Sequence, residues 1–260
     1  MRKTFLERSG KKNMKLGLQL YNFKEELKQD FKGAMREIAK LGFDGVEFAN
    51  FYGEMEPAEL AAFLKELKLE CAGTMFKNVV LCDPEASAWE MSRTLNSPAV
   101  TFSYTADLPD GWRTLLDYCQ KAGKNAAAHG TIFSYHNHWR EFSKLENGEY
   151  IMDRVLAETD PAQVYLEPDV CWLTRSGVDP ESYIRKYASR IIQVHLKDLR
   201  VPQERETMTA LGKGCVDLAG CIAAAKDASC KWLIYEQDHS ADHFADAAES
   251  LAFLKKFDLN

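Results

Sequence analysis

The 260-residue chain has no apolar run approaching the roughly 18 residues that a membrane helix requires. Its seven cysteines stand singly, at 71, 82, 119, 171, 215, 221 and 230, with no Cys-x-x-Cys pair. Their odd number argues against a complete disulfide framework and points to a reduced, cytoplasmic setting. The charge balance is −6, which disfavours non-specific binding to a nucleic-acid backbone. There is no Gly-x-Ser-x-Gly elbow, and Leu211-Gly212-Lys213-Gly214 lacks the rest of a phosphate-binding P-loop. No Gly/Pro/Ser-rich hinge or low-complexity stretch divides the chain. Hydrophobic content of 46% against 28% charged residues is that of an ordinary globular protein with a substantial core. The first thirteen residues carry Arg2, Lys3, Arg8, Lys11 and Lys12 with no apolar run behind them. They read as a basic tail rather than a secretory signal, with Met14 an alternative start.

What is present is an alternation of strand-like and helix-like segments from Met14 onward. Strands are expected at Lys15–Tyr21, Gly45–Phe48, Glu70–Met75, Pro98–Ser103, Thr131–His136, Gln163–Glu167, Ile191–Leu196 and Trp232–Glu236. Helical patterns fall between them, at Asp30–Leu41, after Pro57, and over Pro84–Leu95, Gly111–Ala128, Tyr150–Glu158, Pro180–Tyr187, Val216–Ala228 and Phe244–Phe257. Eight strand-plus-helix units predict a single-domain α/β fold, a (β/α)8 TIM barrel over 14–260. A doubly wound open sheet would place glycines directly after the first strand, and Gln19-Leu-Tyr-Asn-Phe has none.

Several strands end in polar groups. His136, Asp169, His195 and Glu236 recur at intervals near the roughly 30 residues of one barrel unit, so they are expected to converge on the mouth where barrel enzymes work. Asp169 and Glu236 each close an apolar strand, where a carboxylate is costly unless it is solvated, paired or metal-bound. His195 and Lys197 share one face of their strand, as do His136 and His138 on theirs. Two imidazoles so spaced suit a metal pair or a substrate clamp, and Glu141, three residues on, is expected to reach the same mouth. Gln19 and Glu47, at the same end of the first two strands, are expected to contact substrate or orient other groups. Trp172 and Tyr135 offer faces on which a sugar ring can stack, and Arg175, Arg200 and Lys197 are candidate anion contacts.

Four segments resemble the sugar phosphate isomerase/epimerase superfamily, the xylose-isomerase-like barrels: Ile38-Ala-Lys-Leu-Gly-Phe-Asp-Gly-Val-Glu47, Tyr135-His-Asn-His138-Trp-Arg-Glu141-Phe, Glu167-Pro-Asp169-Val-Cys-Trp172 and Val194-His-Leu-Lys-Asp198. The resemblance implies one divalent ion (Mn, Zn, Mg or Co) held through Asp169, His195 and Glu236. His136 takes the place of the superfamily's strand-five Glu. It further implies proton abstraction beside the carbonyl of a sugar or keto-sugar through a metal-stabilised enediolate. Glu236 would be the base, His136 or Glu141 the opposing acid, Lys197 the stabiliser of negative oxygen, and His138, Glu47, Gln19 and Trp172 the substrate contacts. Isomerisation or epimerisation is the first expectation, and a dehydratase or lyase of the inosose dehydratase kind the alternative. An endonuclease IV-type repair enzyme and a non-catalytic sugar-binding barrel fit less well. The expected partner is a small sugar or polyol, without nucleic acid or membrane, and an oligomer is compatible with the resemblance.

Overall fold

The computed structural model describes residues 14–104 and 108–259, with the side chains of 108–110 left aside; the basic tail at 1–13 lies outside the described residues. Eight parallel strands form the barrel: β1 (Lys15–Gln19), β2 (Gly45–Ala49), β3 (Glu70–Met75), β4 (Val100–Phe102), β5 (Phe133–His136), β6 (Val164–Glu167), β7 (Gln193–Leu196) and β10 (Trp232–Tyr235). Between the last two, β8 (Asp198–Leu199) and β9 (Met208–Thr209) make a small antiparallel ladder. The strand order is β6-β5-β4-β3-β2-β1-β10-β7. The ring closes between β7 and β6 through the bridges Leu166↔Ile191 and Asp169↔His195, with the His195 N–H donating to the Pro168 carbonyl at 2.9 Å. The predicted barrel is therefore the observed one, and its seam lies among the polar strand ends. No described helix is long and apolar enough to cross a membrane.

The helix Phe31–Leu41 shows how the outer layer is specified. Asp30 caps its start by accepting from the Gly33 N–H at 2.9 Å, and Phe31, Ala34, Met35 and Ile38 turn one apolar stripe inward. Gly42, at φ +91°, ends it in the left-handed conformation glycine adopts without strain. Elsewhere the expected boundaries shift. The segment expected as one helix over Pro84–Leu95 begins at Ala88, because Asp83 Oδ1 accepts the Glu85 N–H at 2.9 Å and makes a turn instead. An additional short helix, Val170–Arg175, follows β6 and is capped by the Asp169 side chain.

Inside the barrel the side chains lie in layers. Ala72, Trp232 and Ile234 form an apolar plug separate from the main core, which lies between strands and helices. Above the plug come Gln19, Glu47, Glu167 and Gln193, all buried, and above these the mouth. The β2–β3 register shifts between Val46 and Glu47, so that Glu47 pairs with Gly73. A Cβ at Gly73 would fall 2.1 Å from Glu47 Oε1 and 3.0 Å from Gln193 Nε2, so only glycine leaves room for the buried carboxyl. Gly73→Ala is expected to lower stability by about 1–3 kcal/mol through overpacking. Thermal denaturation checks this, and an unchanged midpoint would show that Glu47 moves aside freely.

Candidate active site

The mouth assembles from strand ends and the first residues beyond them. His136 ends β5, His195 lies in β7, Glu236 follows β10 directly, and Asp169 follows β6 after Pro168. One donor atom from each of these four lies within 4.8 Å of the other three. Asp169 is fixed from both sides. Its Oδ1 accepts the Cys171 and Trp172 N–H groups at 2.9 and 3.2 Å, and its own N–H donates to Asn137 Oδ1 at 3.2 Å. That leaves Oδ2 turned to the cluster, without a hydrogen-bond partner of good geometry among the described residues.

Lys197 stands at the centre of the negative charge. Its Nζ lies 3.1 Å from Asp169 Oδ2, 3.1 Å from Glu236 Oε2 and 2.9 Å from Asp238 Oδ1. Burial alone would favour its neutral form, but Asp169, Asp238 and Glu236 outweigh it and hold the ammonium charged, well above its usual range. Glu236 gains in return: burial would raise its carboxyl, yet Lys197 and His195 hold it well below the usual range. Asp169 remains raised, burial being its largest influence.

Beneath the mouth lies a second polar layer. His195 bridges the two, with Nδ1 2.8 Å from Glu236 Oε2 and Nε2 2.6 Å from Glu47 Oε2. Glu47 Oε2 also accepts from Gln19 Nε2 at 2.7 Å, and Gln193 Nε2 bonds both Glu47 Oε1, at 3.0 Å, and Glu167 Oε1. Burial and the adjacent Glu167 push the Glu47 carboxyl up to about 8. Glu167 goes the other way, held down by His195 and His136 against the effect of burial.

A cavity of about 420 Å³ opens above these groups, with Gln19, Tyr104, His136, His138, Trp172 and Glu236 among its lining residues. His138 is kept neutral, its pKa held well below the usual value by burial, His136 and Lys197. Trp139 and Trp172 form one wall, ring centroids 5.0 Å apart, and Arg205 lies beside Trp172 with its Nη2 3.2 Å from Asp238 Oδ2. A wider cavity of about 670 Å³ adjoins it and shares Asp238, but none of the four clustered donors lines it.

The structure thus brings together His136, His138, Asp169, Trp172, His195, Lys197, Glu236 and Gln19. Three expectations change. Glu141 does not reach the mouth: it is fully buried, and its Oε1 accepts from the Tyr135 hydroxyl at 2.6 Å and the His138 N–H at 3.0 Å, so it steadies the backbone of His138 from behind. Tyr135 itself alternates away from His136 and packs edge-on to Phe102. Glu47 lies below the cavity, touching His195 rather than the open space. Of the candidate anion contacts, Arg175 donates to the Pro202 and Gln203 carbonyls, Arg200 to Thr209, and Lys197 faces the three carboxylates. Sequence reading passed over Glu167, Gln193 and Asp238, although each sits two residues from a residue it did single out, Gln193 on the same face of β7 as His195. Arg205 gave no local signal, since it comes from the loop between β8 and β9.

A family model described as "Xylose isomerase-like TIM barrel" matches residues 35–257. A curated inosose dehydratase from Clostridium beijerinckii is 24% identical over an alignment covering 87% of this chain and 89% of that protein. Among solved structures, a sugar phosphate isomerase/epimerase from Parabacteroides distasonis superposes with a TM-score of 0.77 at 18% identity, covering 97% of this chain and 96% of the other. A D-allulose 3-epimerase from Methylomonas sp., solved with D-allulose, gives a TM-score of 0.71 at 16% identity over 94% and 97% of the two chains.

Replacing Lys197 removes the one ammonium among three carboxylates. Lys197→Met is therefore expected to destabilise the metal-free protein by about 3–5 kcal/mol, read by urea denaturation. A loss under about 1 kcal/mol would mean that the carboxylates are neutralised by other means.

Proposed function

Because the chain belongs to the xylose isomerase-like TIM barrel family, we propose that it is an enzyme that removes a proton beside the carbonyl of a cyclic or open-chain keto-sugar and then expels the β-hydroxyl as water. The observation that carries the reading is the Glu236 carboxylate: it lines the cavity, ionised, with a fixed ammonium and an imidazole against it. Glu236 takes the α-proton as general base. The electron pair left on carbon moves into the carbonyl, and Lys197, 3.1 Å from Glu236 Oε2, is the positive charge set beside the base. Breaking the β-carbon–oxygen bond consumes that pair. The departing hydroxyl leaves as water by taking up the proton that Glu236 has accepted, and His138, neutral on the strand-five side of the cavity, is placed to hydrogen-bond it. Trp139 and Trp172 supply a wall against which a sugar ring stacks.

The donors fit a divalent ion. Two imidazoles and two carboxylates converge, and Asp169 Oδ2, buried and turned to the cluster, has no hydrogen-bond partner of good geometry among the described residues. His136, Asp169, His195 and Glu236 would hold it, a mixed set that suits Mn, Co or Zn better than Mg. When bound, such an ion supplies Lewis-acid polarisation of the substrate's oxygens.

Similarity to an inosose dehydratase over most of both chains supports elimination as the outcome. Epimerisation is the second reading, supported by the imidazoles of β5 standing across the barrel from Glu236, where reprotonation on the opposite face is feasible. Incubation of keto-polyols and keto-sugars in D₂O tests both readings, by exchange of the α-proton and by product mass. Loss of water marks elimination; unchanged mass with altered configuration marks epimerisation. Glu236→Gln is expected to slow exchange by about 10²–10⁴-fold. Exchange at the original rate in that variant would remove Glu236 from the base role.

A further inference from the structure

Strand β6 ends in a buried carboxylate, Glu167, and a second, Asp169, follows two residues on at the cap of the next helix. Only Asp169 belongs to the four-donor cluster at the mouth. Glu167 lies one layer down and faces both imidazoles of that cluster: its Oε2 is 3.4 Å from His136 Nδ1 and its Oε1 3.3 Å from His195 Nε2. The placement follows from the strand registers. His136 pairs with Glu167 across β5 and β6, and the Asp169↔His195 bridge closes the barrel on the other side, so Glu167 sits between the two histidines.

We propose that Glu167 is the positioning residue for both metal-binding imidazoles, an assignment that rests on the reading that the four-residue cluster takes a divalent ion. Each histidine turns one ring nitrogen toward the buried layer and so has the other available to a metal. His195 has a second anchor in Glu47, at 2.6 Å. For His136 the only other carboxylate within ion-pair range among the described residues is Asp169, at 3.9 Å from Nε2, and Asp169 is itself a member of the cluster. Glu167 is thus, among the described residues, the one carboxylate outside the cluster that faces the His136 ring within ion-pair range. A carboxylate accepting the outer N–H of a ligating imidazole sets its tautomer and orientation and strengthens it as a donor.

Glu47, Glu167 and His195 also lie close enough to form a metal cluster of their own. Amide protons already occupy it: Gln193 Nε2 donates to both carboxylates and Gln19 Nε2 to Glu47. The lower layer is therefore a hydrogen-bonded support for the upper one. Gln193 locks Glu167 in place, and Glu167 locks the imidazoles.

The test is titration of Co²⁺ into metal-free wild-type protein and Glu167→Gln, a variant of the same size, with the visible spectrum of the bound ion recorded. The variant is expected to bind about 10–100-fold more weakly, with a shifted spectrum. Equal affinity and an unchanged spectrum, even with a lower melting temperature, would reduce Glu167 to a fold-supporting role and overturn the assignment. Should Glu167→Gln not fold, Glu167→Asp draws the carboxylate back by one methylene and is expected to give an intermediate loss; wild-type affinity there overturns the assignment equally. Failure of wild-type protein to bind Co²⁺ would overturn the metal reading itself, and the positioning role with it.

Discussion

The contact of Lys197 with three carboxylates is the interaction on which the barrel mouth depends. Glu47, Glu167, Asp169, Glu236 and Asp238 are all buried inside one barrel, and among the described residues Lys197 is the only buried ammonium. Taking each such charge out of water costs several kcal/mol unless it is compensated. The compensation is divided. Lys197 serves Asp169, Glu236 and Asp238; Arg205 adds to Asp238; the N–H groups of Cys171 and Trp172 hold Asp169; Gln19 and Gln193 supply amide protons to the lower pair. A divalent ion between His136, Asp169, His195 and Glu236 would complete this balance, so the proposed cation and the proposed chemistry draw on the same burial.

The backbone is arranged to permit it. The barrel closes at Asp169 and His195, joining the two donors by main-chain pairing. Gly73 clears space for Glu47 at a register shift. Asp198, which follows Lys197, accepts the N–H groups of Leu199, Gly212, Gly214 and Val216 and so organises the loop beyond β7. The Leu-Gly-Lys-Gly segment, which superficially looks like a phosphate loop, is bent around this aspartate.

Much of this was legible in the sequence, because barrel strands announce themselves as apolar runs and their polar ends mark the mouth. His136, Asp169, His195 and Glu236 could be found by spacing alone. What stayed hidden follows two physical rules. Gln193 shares a strand face with His195, and Glu167 and Asp238 stand two residues from Asp169 and Glu236 at strand ends, but a buried polar group beside an apolar run reads as an exception until its partners are seen. Beyond a strand end alternation lapses, so Glu141 could turn back against Tyr135 and Arg205 could arrive from a distant loop with nothing local to announce either.

The site is layered: an apolar plug, a hydrogen-bonded support, a set of candidate metal donors, and a cavity walled by indoles and lined by Glu236. Its central claim is that the donor layer holds a cation. Elemental analysis of the purified protein beside Asp169→Ala tests this most directly. About one divalent ion per chain is expected in the wild-type protein and none in the variant, since a four-donor site loses most of its affinity with one ligand gone. Equal metal in both proteins, or none in either after incubation with Mn²⁺ and Zn²⁺, would contradict the account.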